Sequence, residues 1–434
     1  MPVEAPLSRL TGRLRGTGIG ARLARGTLWS MASAVVARGL GLVGAMLAAR
    51  LLGVEAFGQV GVVQQTVATL GTLAGLGVGA TASRFIAASR ATRPAETSRI
   101  LGTTAAWSWG AALLAGALLY ALAPWLAAVP LGAPALATPL RMAVPLLVFS
   151  LVAQAQTGAL AGFEAFRASA LSGLVGGVAG VPLQLLGAWQ AGVPGFVLGL
   201  AAAEALRWAV GARALAGEMR RHGLAWARPQ AADLRRLLGF GVPTMLAGLL
   251  VGPVQLACLA IVGHQSAGYG EVGLFQATQQ FRNLLIFVAV QSASAVVPVL
   301  AAAHGAGDHA GLARGLRKAA LWSVGASLLL GLPLALLAPW AMGGFGAAFA
   351  GHASLLVWLA VLAPVQALNA VGSSALSAVD RPWALLTATA LFAVGALAIV
   401  LALPTALGLV LSQGLASVPA CAWMAWSLRR EGRG

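Results

Sequence analysis

The chain has 434 residues, 59% of them hydrophobic and 9% charged, where a soluble domain carries about 25% charged. One globular core of this length cannot hide so much apolar surface, so a bilayer must act as solvent and a soluble enzyme or binding domain is excluded. The net charge of +17 would suit nucleic acid, but the basic residues alternate between connections instead of forming one face, and no nucleic-acid partner is expected.

Residues 1–25 carry Arg9, Arg13, Arg15, Arg22 and Arg25. They read as a cytoplasmic basic arm lying on anionic membrane lipids, because the apolar segment behind them is too long for a cleavable signal. Apolar runs follow at 27–49, 58–82, 100–122, 138–161, 168–189 and 195–214, and again at 237–262, 272–299, 319–337, 352–377, 383–403 and 406–428. We number them spans 1 to 12. They hold too little charge for barrel strands, which alternate polar and apolar residues. The expected fold is therefore an all-α polytopic membrane protein with about 12 transmembrane helices in two pseudo-symmetric six-helix lobes around a central cavity. The N-lobe covers 26–214, a cytoplasmic linker 215–236, the C-lobe 237–428 and a cytoplasmic tail 429–434. Prolines inside spans, Pro182, Pro333 and Pro364 among them, are expected to bend or interrupt helices. Gly71, Gly75 and Gly79, and Gly173 with Gly177, form rows suited to close helix contact.

With an inside N-terminus, 23 of the 28 Lys and Arg fall on one side of the membrane and only Arg50 in an opposite loop. The positive-inside rule then places both termini in the cytoplasm. The two halves also repeat. Phe57-Gly58-Gln59-Val60-Gly61-Val62-Val63-Gln64-Gln65-Thr66 matches Tyr269-Gly270-Glu271-Val272-Gly273-Leu274-Phe275-Gln276-Ala277-Thr278 at five of ten positions, with an offset of 212. Six spans per unit is an even number, so the halves enter from the same side and form parallel repeats, an arrangement found among secondary transporters.

Charge inside the spans marks the candidate site. Arg38 and Arg282 lie too deep to snorkel to a surface and should face a wet or protein-lined interior, where they would bind substrate. Arg141 and Arg207 sit nearer helix ends, and interface snorkelling explains them equally well. Span 8 carries Gln276, Gln279, Gln280 and Asn283 on one helical face. Span 10 carries Gln366, Asn369, Ser373 and Ser377; span 2, Gln65, Thr69 and Thr72; and span 4, Ser150, Gln154 and Thr157. Such stripes suit a shared cavity, although hydrogen bonds between helices would also account for many of them. Glu204 is the one acid well inside a span. It is a candidate proton site, or simply the partner of Arg207 three residues on. Cys258 and Cys421 form no disulfide framework. The histidines lack metal-ligand spacing, and there is no Walker loop, nucleophile motif or carboxylate pair. No cofactor, metal or enzymatic activity is expected.

Several short motifs, in order, resemble a known family. Leu47-Ala48-Ala49-Arg50-Leu51-Leu52-Gly53 followed by Phe57-Gly58 resembles the signature that ends the first helix of polysaccharide-exporting oligosaccharide flippases. Gly75-Leu76-Gly77 with Ser83-Arg84-Phe85-Ile86-Ala87, Phe240-Gly241-Val242-Pro243, and Val297-Pro298-Val299-Leu300 are similar to the ends and starts of later helices. The superfamily also holds multidrug extruders and lipid II flippases. The resemblance implies a multi-pass protein of the bacterial plasma (inner) membrane that moves an undecaprenyl-pyrophosphate-type oligosaccharide to the outer leaflet for cell-surface polysaccharide synthesis. Glycan polymerase and glycosyltransferases would be candidate partners. Outward movement of anionic charge is downhill by roughly 2.3 kcal/mol per charge per 100 mV. Many relatives carry an Asp late in the seventh helix, where this chain reads Gln255-Leu256-Ala257-Cys258-Leu259, which argues against cation coupling through that acid. The rival readings are a cation-coupled multidrug extruder of the same fold and a membrane polysaccharide polymerase or ligase.

Overall fold

A computed structural model describes residues 38–265, 268–305, 308–379 and 381–431, with side chains except at 240–247, 287–305, 309 and 431. The basic arm at 1–25, the first part of span 1 and Arg433 lie outside the described residues. Helix α1 covers 38–52. It is followed by α2 (Val54–Gly75), α3 (Val78–Ser89), α4 (Pro94–Ala128), α5 (Ala137–Met142), α6 (Val144–Gly162), α7 (Phe166–Arg221), α8 (Ala231–Gly263) and α9 (Gly268–Gly305). Then come α10 (His309–Leu336), α11 (Ala338–Gly343), α12 (Ala347–Ala350), α13 (Ala353–Ala378), α14 (Pro382–Ala402), α15 (Ala406–Leu415) and α16 (Ser417–Glu431).

Seven of the described helical stretches are long and apolar enough to cross a membrane, and the bent pair α2–α3 makes another. Helix α7 is two spans. At Ala191 and Gly192 its backbone leaves the helical region (Gly192 at φ 60°, ψ −135°) and the chain reverses. The arms then close on glycine: a Cβ at Gly187 would sit 2.1 Å from the Gly195 carbonyl oxygen, and one at Gly199 2.4 Å from that of Leu183. Only residues without a side chain let two backbones come so near. With α1, α8 and α9 the crossings number about twelve, as the apolar runs predict.

Proline and glycine both break helices: span 4 is interrupted at Ala143, with Pro145 in the first turn of α6. Pro182, Pro333 and Pro364 lie inside continuous helical stretches. Span 2 instead bends by 45° at Leu76-Gly77, where both residues take left-handed φ values of 43° and 70°. That break also splits the Gly71–Gly75–Gly79 row. Gly79 meets Gly158 of α6 backbone to backbone, while Gly75 touches nothing.

The surface is that of a protein solvated by lipid. Leu113, Leu114, Leu329 and Val394 are exposed along span middles, and Trp125, Trp189 and Trp340 at one set of ends, with Trp226, Trp383 and Trp426 at the other. Indoles at both levels form the aromatic belts expected at membrane interfaces. The basic end of the bundle is tied by charge. Arg236 donates to Glu96 at 2.8 Å, Arg93 donates to the other oxygen of Glu96 at 3.1 Å, and Arg99 reaches Asp233 at 3.3 Å. The backbone N–H of Gln230 donates to Thr103 Oγ1 at 3.2 Å. The stretch after span 6 is therefore strapped onto the first turns of α4. The helices run further than the apolar runs, so the non-helical part of this connection is 222–230, shorter than the expected 215–236.

At the opposite, charge-poor end the repeated segments pack on each other. A Cβ on Gly58 would lie 2.0 Å from the Tyr269 carbonyl oxygen and one on Gly273 2.0 Å from that of Val54. Phe57 packs with Phe345 and Phe349, and Phe345 with Phe281. Arg50 donates through Nε to the Gly344 carbonyl at 2.8 Å, and Tyr269 Oη donates to the Leu131 carbonyl at 2.8 Å. Spans of the two halves are thus locked together at this end.

Candidate functional site: a glutamine-lined chamber

Behind that closure lies a cavity of about 580 Å³, bounded by α1, α2, α6, both arms of α7, and α9. Phe57 stands at its closed end, and Gly173 and Arg207 lie toward the basic end. Its polar lining is Gln64, Ser150, Gln154, Gln184, Glu204, Arg207, Gln276 and Gln280. Gly173, Gly176 and Gly177 supply wall without side chains, so the Gly173–Gly177 row makes room for the chamber as well as for packing. Gly61 of the repeat plays a related part: Gln276 lies over it, and a Cβ there would fall 2.3 Å from Gln276 Cγ.

Glu204 and Arg207 form an ion pair inside the chamber wall, with Arg207 Nη1 3.2 Å from each carboxylate oxygen. Both side chains are about one-quarter exposed, 25% and 28%. The i, i+3 spacing on the second arm of α7 sets the pair, and the glycine at 176 lets the Arg207 stem pass.

The other candidate residues divide. Gln154 and Gln276 line the chamber. Gln65, one position from Gln64, turns to α8 and donates to the Gly252 carbonyl at 3.4 Å. Arg282 lies on the far side of α9, donating through Nε to Gln366 Oε1 at 2.6 Å. It borders a separate pocket of about 70 Å³ in the second half, with Gln255, Cys258, Ser412 and Gln413. Gln366 is buried, and among the described residues its Nε2 has no hydrogen-bond partner, nor has Gln279 Oε1. Arg38 crosses from α1 to α9 and donates to the backbone carbonyl of Asn283 at 2.8 Å. The Asn283 side chain is exposed and that of Asn369 half-buried, and neither borders the chamber. Thr69, Thr72, Ser150, Thr157 and Ser377 spend their hydroxyls on carbonyls of their own helices, which is the usual fate of Ser and Thr inside a helix.

The sequence reading did not single out Gln64 or Gln184, and it left Arg207 undecided. The signal for Arg207 was present in its spacing from Glu204. For Gln184, isolated on an otherwise apolar helix, there was none.

The chamber can hold a polar, flexible ligand. Amide side chains both donate and accept, matching sugar hydroxyls, and a guanidinium matches a phosphate fork. The volume lies within the range of ligand sites, about 300–1,000 Å³.

Comparison with known proteins agrees with this class. Residues 23–304, about two thirds of the chain, match the family described as "Polysaccharide biosynthesis protein", and the protein belongs to that family. None of the curated proteins matches it in sequence. Among solved structures the fold is similar to a multidrug resistance MATE family transporter of the MOP superfamily in an inward-facing conformation. The TM-score is 0.74 at 16% identity, covering 99% of each chain. It is also similar to the lipid II flippase MurJ in an inward closed conformation, with TM-score 0.73 and 15% identity, over 94% of this chain and 89% of that one. A MOP superfamily transporter from Pyrococcus furiosus, described as having a binding pocket of reverse polarity, matches at TM-score 0.64 and 17% identity, over 96% and 98%. The chain is a multi-pass membrane protein of this polysaccharide biosynthesis family, and its fold is similar to that of MOP superfamily transporters.

Proposed function

We propose that this protein is a transporter that moves a lipid-linked oligosaccharide, joined through an undecaprenyl-pyrophosphate-type anhydride, from the cytoplasmic to the outer leaflet of a bacterial inner membrane. The carrying observation is the chamber, in which five glutamines and one guanidinium line a single cavity. In this reading the basic end is cytoplasmic and the halves are two lobes. The glycine-packed contact of α2 on α9 is the closed outer gate, and the headgroup enters while its lipid tail stays in the bilayer.

Arg207 is the cation that the chamber offers in this state, and Glu204 is its built-in competitor. A phosphate must displace the carboxylate, or the carboxylate must take a proton, before the guanidinium is available. Glu204 thereby becomes the proton site. Arg38 and Arg282 are engaged elsewhere in this conformation and would act on substrate only on release from Asn283 and Gln366. Among the side chains that line the chamber, Glu204 alone favours the extruder reading, and Arg207 neutralises that charge at 3.2 Å.

The test is headgroup appearance outside proteoliposomes loaded with a lipid-linked oligosaccharide. Losing one charged hydrogen-bond partner, about 1.5–3 kcal/mol, predicts that R207Q slows transport roughly tenfold or more. E204Q should bind the headgroup more tightly, because no carboxylate then competes for Arg207. Wild-type flux in R207Q with normal protein levels would overturn the chamber mechanism. Transport of a cationic dye instead would favour the extruder.

A further inference from the structure

A second cavity lies on the outside of the bundle at the basic end, between the first turn of α14 and the last turns of α16. It measures about 370 Å³ and is lined by Arg381, Trp383, Thr387, Trp423, Trp426, Ser427 and Arg430, with Pro382 and Ala384. Three indoles and two guanidinium groups therefore share one recess that the transport chamber does not use.

Its construction is specific. Trp423 donates through Nε1 to the Ala384 carbonyl at 3.1 Å, which fixes α16 against α14. Trp426 stacks beside it with ring centroids 4.9 Å apart. Arg430 lies over the Trp426 ring, its Cζ 4.0 Å from the centroid. A guanidinium anchored over an indole face is held in place by the ring, and its planar fork of N–H donors suits a grip on phosphate oxygens. Trp383 closes the other side and is 73% exposed.

The level of the recess identifies its occupant. Helix α14 has 21 residues and so is about 31 Å long at 1.5 Å per residue, the thickness of a hydrocarbon core of about 30 Å. Its first turn must then sit at headgroup depth. Exposed indoles belong among the glycerol and carbonyl groups at that depth, and arginines just beyond them meet lipid phosphates.

We propose that this recess is a binding site for the phosphate headgroup of an anionic phospholipid, with Arg381 and Arg430 on the phosphate and Trp383 and Trp426 against the glycerol backbone. Such a lipid would brace α14 against α16 on the membrane-facing side of the second half.

The test is native mass spectrometry of the full chain released from detergent with equal amounts of dioleoylphosphatidylglycerol and dioleoylphosphatidylcholine. Phosphatidylglycerol should be retained preferentially, and R381Q/R430Q should lower that retention at least fivefold. R429Q removes the same charge one residue away from the recess and should leave retention unchanged. If the double variant does not fold, R430Q alone carries the comparison, with a loss of at least twofold expected. Equal retention of the two lipids, wild-type retention in the recess variants, or an equal loss in R429Q would each overturn the site. Displacement of the lipid by inorganic phosphate would reassign it to free anions.

Discussion

A single methyl group at Gly58 tests the closed gate. In G58A the new Cβ would stand 2.0 Å from the Tyr269 carbonyl oxygen and 2.8 Å from the Gly273 nitrogen. Both are backbone atoms, so no rotamer change relieves the clash. Helices α2 and α9 must part by about 1.4 Å to reach ordinary contact, or separate entirely. Overpacking of this kind costs about 1–3 kcal/mol, and the cost falls only on the conformation in which α2 and α9 touch. If a second, outward-open conformation exists, its population relative to the closed one rises by roughly 5- to 150-fold. The assay uses Q64C as a chamber reporter, in a chain with Cys258 and Cys421 replaced, and a membrane-impermeant maleimide added from the charge-poor side. Labelling should accelerate at least fivefold in G58A. G110A is the control, because nothing lies within 4 Å of a Cβ there and it carries the same gain in helix propensity. Equal labelling rates in G58A and G110A, with unchanged melting temperature, would refute the two-conformation argument.

Three further outcomes are expected. G192A places a side chain at φ 60°, ψ −135°, a region open essentially to glycine, and should cost about 1–3 kcal/mol, read as a lower melting temperature in detergent. Arg282 and Gln366 should couple by about 1.5–3 kcal/mol in a double-mutant cycle of R282L and Q366L, because each single change leaves the other side chain without its partner. The third concerns Glu96, whose carboxyl is held below its usual 4.5 by the hydrogen bond from Arg236 first and that from Arg93 second. A depressed folded value means that the strap contributes fully above about pH 4.5 and is lost as pH falls through the lowered value. The melting-temperature gap between wild type and E96Q should therefore be constant from pH 7 to 5 and close as the pH drops below 4.

Much of the architecture was legible because a bilayer reads composition directly. Apolar length defines a span, and unpaired charge cannot lie in lipid, so the twelve runs and their one-sided arginines were visible without tertiary information. The repeat was legible too, and its meaning proved physical. One glycine from each copy, Gly58 and Gly273, lets the other half's backbone approach within contact distance, while Gly61, the counterpart of Gly273, makes room for the Gln276 side chain. Helix ends were less legible, since α7 and α8 continue past the apolar runs into solvent as ordinary amphipathic helix.

Which polar side chain meets the chamber was decided only by packing. Successive helix residues differ by about 100° in direction, so Gln64 faces the cavity while its neighbour Gln65 faces α8. Gln276 and Gln280 face it, while Arg282 turns to Gln366. No local pattern chooses between such neighbours, because the choice depends on helices more than 80 residues away in the chain. Sequence by itself determined that this protein is a two-fold repeated bundle immersed in lipid, with buried guanidinium groups in need of partners. Tertiary structure decided which partner each one found, because a charge inside a membrane is satisfied by whatever donor or acceptor the neighbouring helix brings within reach.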